Sequence, residues 1–174
     1  MNTKKLKVGL MSLVLLFTST SIFAQTKPSP AETAKGTING ANISVSYSSP
    51  AVKGRKIFGG LVPYDQVWRA GANEATVFTT DKQVMIGRTP LAAGSYSIYA
   101  IPGEKSWKII FNSQTGQWGT AKGGVSTRVP EKDVTTIEVK SSKTAALEER
   151  LKYEVTPKGI VLAWENQSVL IPVK

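Results

Sequence analysis

The chain has 174 residues, with 22 basic and 12 acidic side chains, a formal net charge of +10, and neither His nor Cys. That length supports one domain with a proper core. Without imidazole or thiol, Ser-His-Asp and Cys-His catalysis, disulfides and thiolate metal sites are all excluded, and zinc, copper and non-haem iron lose most of their usual ligands.

In chain order, Lys4, Lys5 and Lys7 precede an apolar run over residues 8–17 that is too short to cross a bilayer. A polar Ser-Thr-Ser then leads to Ile22-Phe23-Ala24. This pattern predicts a signal peptide, residues 1–24, cleaved after Ala24, and a periplasmic or secreted protein with no membrane span once the signal is removed. A retained membrane anchor is the alternative. With no Cys to carry a lipid, the exported protein is expected to be soluble. Loss of the three signal lysines leaves 19 basic and 12 acidic residues, a net +7. These charges are scattered, with no Lys/Arg run interleaved with aromatics, so nucleic acid is not an expected partner. Contact with an acidic polysaccharide or an anionic envelope surface stands against a plain solvated surface.

Residues 25–35 (QTKPSPAETAK) lack apolar periodicity and read as a flexible N-terminus, leaving 36–174 as a single domain. From Asn42 to Ser49, Ile43, Val45 and Tyr47 alternate with serines, the pattern of a half-buried strand. Pro50, Gly54, Gly59, Gly60 and Pro63 mark an irregular segment, with a short helical turn near 65–68. Strands are expected at 74–80, 83–86, 95–101 and 106–112, with 87–94 a loop. The stretch 113–130 holds four Gly and Trp118 and reads as a long functional or mobile loop. Strands at 134–140, 148–156, 160–165 and 168–173 follow, with turns at Pro157-Lys158-Gly159 and Asn166-Gln167. Ala145–Arg150 looks helical, but Leu147, Leu151, Tyr153 and Val155 keep the strand period, so a bulge or turn is expected where that strand starts. About nine short strands without a long helical pattern predict an all-β fold, an antiparallel β-sandwich (Ig-like or jelly-roll-like), with a closed barrel as the alternative.

The chemistry-bearing residues concentrate in one stretch, GLVPYDQVWRAGANEAT (60–76). Its aromatic and charged side chains sit among turn residues, so they are either satisfied internally or face a ligand. Arg55 and Arg69 each offer a planar fork that suits a ligand carboxylate or sulfate, or else loop carbonyls and Glu74. Asn73 suits a turn cap more than a ligand contact. Trp68 flanks Arg69, while Trp107 and Trp164 alternate along strands and are expected in the core. Trp118, in a Gly-rich loop, is the candidate stacking platform. The candidate binding residues are therefore Arg55, Trp68, Arg69, Asn73, Glu74 and Trp118. Asp65 and Glu74 are the acidic residues of the central stretch, and a carboxylate-dependent hydrolase or lyase would need both in one cleft. The competing reading has Glu74 paired with an arginine, which would hold it ionised. Acidic residues are otherwise dispersed, with Glu148-Glu149 the adjacent pair, so neither a metal nor a cofactor is expected. No Gly-rich phosphate loop opens a helix.

The blocks Ser48-Ser49-Pro50, Gly54-Arg55, residues 60–76, LAAGSYSIYAIP (91–102), 107–112, Trp118-Gly119 and LAWEN (162–166) resemble the bacterial family called domain of unknown function 2911. The specific W-R-x-G-A-N-E-A-T core stands intact as 68–76. The Tyr associated with the position soon after Trp-Gly is absent here; Gly119-Thr120-Ala121-Lys122 stands in its place. The resemblance implies an exported or envelope-associated β-rich domain with no established activity, and it supplies no catalytic residues. Three readings remain: a non-enzymatic module binding a small molecule or glycan, the carboxylate-dependent enzyme, and a purely structural envelope protein.

Overall fold

A computed structural model describes residues 28–174. The expected signal peptide and the first three residues of the expected flexible arm lie outside the described residues.

Among the described residues nine strands pair antiparallel. They are β1 (Ala31–Ile38), β2 (Ala41–Ser48), β3 (Val77–Thr80), β4 (Val84–Ile86), β5 (Thr89–Leu91), β6 (Gly94–Pro102), β7 (Ser106–Asn112), β8 (Asp133–Thr156) and β9 (Gly159–Pro172). Seven form one sheet in the order β1-β2-β3-β6-β7-β8-β9, and β4-β5 form a separate hairpin.

This sheet is nearly closed and barrel-like rather than a clear sandwich, which corrects the expected architecture. The cause lies in two bends. β8 pairs with β7 through residues 133–140 and then with β9 from Ser141 onward, so it carries the sheet around a corner. The chain leaving β2 then bonds back to the far end of β8: Val52 N donates to Glu149 O (2.7 Å), Leu151 N donates to Pro50 O (3.0 Å), and the Ser49 hydroxyl donates to Leu151 O (2.7 Å). β1 lies against the same end; a Cβ on Gly36 would come within 2.7 Å of Val155 Cγ1.

Several local expectations change. The segment read as a flexible arm contributes Ala31–Lys35 to β1, because Asn39 and Gly40 (φ 49° and 79°) make the two-residue turn that folds it onto β2. β1 has no apolar rhythm because most of its side chains face solvent. β5 occupies part of the expected 87–94 loop. Glu74–Thr76 lies outside β3, as part of the central segment. A turn, not a helix, stands at Tyr64–Asp65. The two last pairs of expected strands are single long ones. No hairpin forms at Asn166-Gln167, since Gln167 pairs with Lys143 inside the β8–β9 ladder; the local break is Glu165, at φ 55°. The expected irregularity at 145–150 is present as register shifts between Lys143 and Lys152.

The inward residues form one core containing Val45, Phe78, Ile98, Trp107, Phe111, Leu162 and Trp164, each 1 % exposed or less. The expectation that Trp107 and Trp164 are core holds. A smaller cluster of Ala75, Tyr99 and Ile110, with Val67 and Ile101 against it, sits on the other face of β6–β7. The central segment covers that face, and this is what positions the site.

Candidate functional site

The central segment begins with a tight knot. Gly60 N and Val62 N both donate to Ile57 O, at 3.1 and 2.9 Å, and Leu61 N donates to Lys56 O. Gly60 is required there, because a Cβ would stand 2.5 Å from the Lys56 carbonyl oxygen. The knot turns Ile57, Phe58 and Val62 into the core and leaves Leu61 52 % exposed. The chain then takes the edge of β6 that β3 does not reach. Asp65 N donates to Pro102 O, and Trp68 and Ala100 exchange backbone bonds of 2.7 and 2.8 Å.

Strand pairing at Trp68 fixes which way the next side chains point. The Trp68 indole turns inward, stacks on Trp164 (centroids 5.9 Å apart, 20° between planes) and meets Phe58 and Trp107 edge-on. Its Nε1 donates to Gly71 O (3.1 Å). Ala70 then adopts φ 52°, a left-handed conformation that costs a non-glycine residue about 1–2 kcal/mol. Two buried hydroxyls hold it there: Thr76 Oγ1 and the Tyr153 phenol donate to Ala70 O at 2.9 and 2.8 Å. Burial pushes the Tyr153 phenol well up, so it stays a neutral donor.

Arg69 lies between these two anchors. Its Nη1 donates to Thr120 Oγ1 (2.6 Å) and Trp118 O (3.2 Å), and its guanidinium carbon sits 5.6 Å from the Trp118 ring centre. Burial pulls its pKa down, and the nearby Glu74 carboxylate pulls it back up. The 113–130 loop docks on the same segment. Ala75 N donates to Gln117 O, and Gly119 (φ 86°) packs so closely that a Cβ would stand 2.9 Å from Arg69 Cβ. Sequence reasoning expected this loop to be irregular, but not that it would clamp Arg69.

A cleft of ≈ 250 Å³ opens beside these residues. Trp68, Trp164, Val62, Pro63 and Leu61 wall it with apolar surface, and Arg69, Gln66 and Thr120 supply side-chain polarity. Of the six candidate binding residues, Trp68 and Arg69 line it. Trp118 is 50 % exposed and stands against Arg69 at its side. Glu74 is exposed and faces a separate groove with Glu32, Ser46 and Tyr47. Asn73 turns away, and its Nδ2 donates to Ser29 O and Ser48 Oγ, both at 3.1 Å. Arg55 does not line the cleft; its Nη2 donates to Ala51 O (2.6 Å) and its Nε to Val52 O (3.0 Å), both carbonyls of its own loop. Sequence reasoning missed Leu61, Gln66 and Thr120. The only signal for Leu61 was an apolar residue directly after Gly-Gly.

Asp65 and Glu74 do not share a cleft. Asp65 opens on a depression lined by Glu104, Lys105, Ser106, Lys108 and Glu138, away from the groove that Glu74 faces. A two-carboxylate reaction needs both groups on one scissile bond. Among the described residues, no group of three or more Asp and Glu gathers into a metal site, and no helix is long and apolar enough to cross a membrane.

No curated protein and no solved structure matches the chain. A family model described as a protein of unknown function (DUF2911) matches residues 29–173, almost all of the described chain and all of the site. The protein therefore belongs to the DUF2911 family.

Proposed function

We propose that this protein is an exported, non-enzymatic binding module whose small-molecule or glycan ligand lodges in the cleft beside Trp68 and Trp164. One observation carries the reading: a half-buried guanidinium stands at the wall of a mostly apolar cleft. Ligand sites are typically apolar hollows with a few polar groups that fix orientation. At ≈ 250 Å³ the cleft is smaller than the pockets of about 300–1,000 Å³ that hold drug-sized ligands, so the ligand is small or enters only by one end. Its frame is rigid, since Trp68 is held by strand bonds on one side and a stacked indole on the other. The separation of Asp65 from Glu74 speaks against the carboxylate-dependent enzyme.

The test is a panel of neutral sugars, small acids and their neutral analogues, followed by Trp fluorescence and melting temperature. Trp68 and Trp164 line the cleft, so an occupant should change their emission. A panel that moves neither signal counts against the binding reading and favours a structural role. For export, sequencing of the mature N-terminus from a cell-envelope fraction should begin at Gln25; a cytoplasmic, uncut chain would refute it.

A further inference from the structure

We propose that the cleft selects a small monocarboxylate with an apolar body, its carboxylate bonded to Arg69 and its body lying along Trp68, Leu61 and Val62. This rests on the binding reading above and names the ligand class.

The charge of the cleft supplies the first argument. Among the described residues, Arg69 is the one ionisable group in its lining; the other polar side chains are the amide of Gln66 and the hydroxyl of Thr120. One fixed positive charge matches one negative charge. A phosphate monoester would bring nearly two, and among the described residues the lining has no second cation to meet it.

The donor arrangement of Arg69 supplies the second. Among the described residues its side-chain hydrogen bonds leave from Nη1 alone, to Thr120 Oγ1 and Trp118 O. These two bonds and the close approach of Gly119 fix the plane of the guanidinium. Nε and Nη2 share one edge of that plane, the edge that takes a carboxylate through two parallel bonds. A fork already immobilised loses little freedom on binding, so more of the interaction appears as affinity. Burial disfavours the charge on Arg69, and an incoming anion would relieve that cost.

The rest of the wall supplies the third. Leu61 is 52 % exposed although it flanks the cleft, and the half-buried indole of Trp68 is backed by the buried ring of Trp164. Such a wall rewards a flat or alkyl body over a fully hydroxylated sugar. The Glu74 carboxylate already stabilises the charge on Arg69 from its own groove, so its field opposes a second anion there.

The experiment measures binding of benzoate, phenylacetate and hexanoate, each against its neutral primary amide, with phenyl phosphate and neutral monosaccharides alongside, at low and high ionic strength. Each acid is expected to bind about ten- to a hundred-fold more tightly than its amide, as a charge-assisted pair implies, with the margin shrinking as salt rises. Glu74→Gln should tighten the acids a few-fold and leave the amides unchanged. Arg69→Gln should remove the margin; if that variant does not fold, Arg69→Lys, which keeps the charge but not the fork, should reduce it. Equal binding of acids and amides, sugars that bind while the acids do not, or phenyl phosphate binding more tightly than phenylacetate would each overturn the carboxylate assignment and leave the binding module standing. No binding by any probe would overturn both.

Discussion

The carbonyl of Ala70 is the pivot of the site, and its loss can be worked out. It accepts two hydrogen bonds, from Thr76 Oγ1 and from the Tyr153 phenol, and Ala70 is 0 % exposed. Thr76→Val removes the first donor and Tyr153→Phe the second. Each single variant leaves the carbonyl one partner, so each should cost about 1 kcal/mol. The double variant leaves a buried acceptor with neither, which adds about 1–3 kcal/mol of desolvation penalty. The expected total is therefore about 3–5 kcal/mol rather than the additive value of about 2. Urea unfolding of the four proteins reads this directly, and in thermal melts each kcal/mol should lower Tm by about 2–4 °C for a chain of this size. Because Ala70 holds the left-handed bend between Trp68 and the Asn73 anchor, the double variant should also disturb the indole stack and shift Trp emission before global unfolding. Strict additivity, within about 0.5 kcal/mol, would refute the idea that one carbonyl couples the two hydroxyls.

Other substitutions probe the surroundings. Gly119→Ala places a methyl 2.9 Å from Arg69 Cβ at φ 86°, so it should destabilise by about 1–2 kcal/mol or more and loosen Arg69 from Thr120, read by urea unfolding and by quenching at Trp118. Arg55→Ala should leave ligand binding unchanged while costing no more than about 1–3 kcal/mol, because its bonds go to local carbonyls; a large affinity loss in titrations would contradict its placement. Asp81 accepts two 2.7 Å bonds from Asn42, through its backbone N and Nδ2, and they hold its carboxyl below the usual range. A depressed folded pKa means its stabilisation is present above the ordinary carboxylate pKa and lost as pH falls through the folded value. The stability gap between wild type and Asp81→Asn should therefore be full at neutral pH and close below about pH 4, and a gap constant across an acid series of melts would refute it.

The strand rhythm of Ile43-Val45-Tyr47, the alternation that buries Trp107 and Trp164, and the turn residues around 50–63 were readable because side chains on a strand alternate between two faces and Gly and Pro interrupt regular structure. β1 was hidden because an exposed edge strand carries no apolar signal; the Asn39-Gly40 turn that creates it is a local signal that the apolar pattern outweighed. The 160–173 region looked like two strands because Asn166-Gln167 resembles a hairpin turn, yet pairing with β8 runs through it.

By itself the sequence determined the all-β class, the absence of thiol and imidazole chemistry, and the gathering of aromatic and charged side chains in the 60–76 stretch, since these follow from residue types and short-range periodicity. Only the tertiary structure decided that the sheet curls nearly shut, that Trp68 faces the core while Arg69 meets the 113–130 loop, and that Asp65 and Glu74 line different grooves. Those outcomes depend on contacts between residues dozens to a hundred positions apart, such as Ser49 with Leu151 and Arg69 with Thr120. Pairing over such separations is set by the energy of the assembled core, and no local pattern in the chain encodes it.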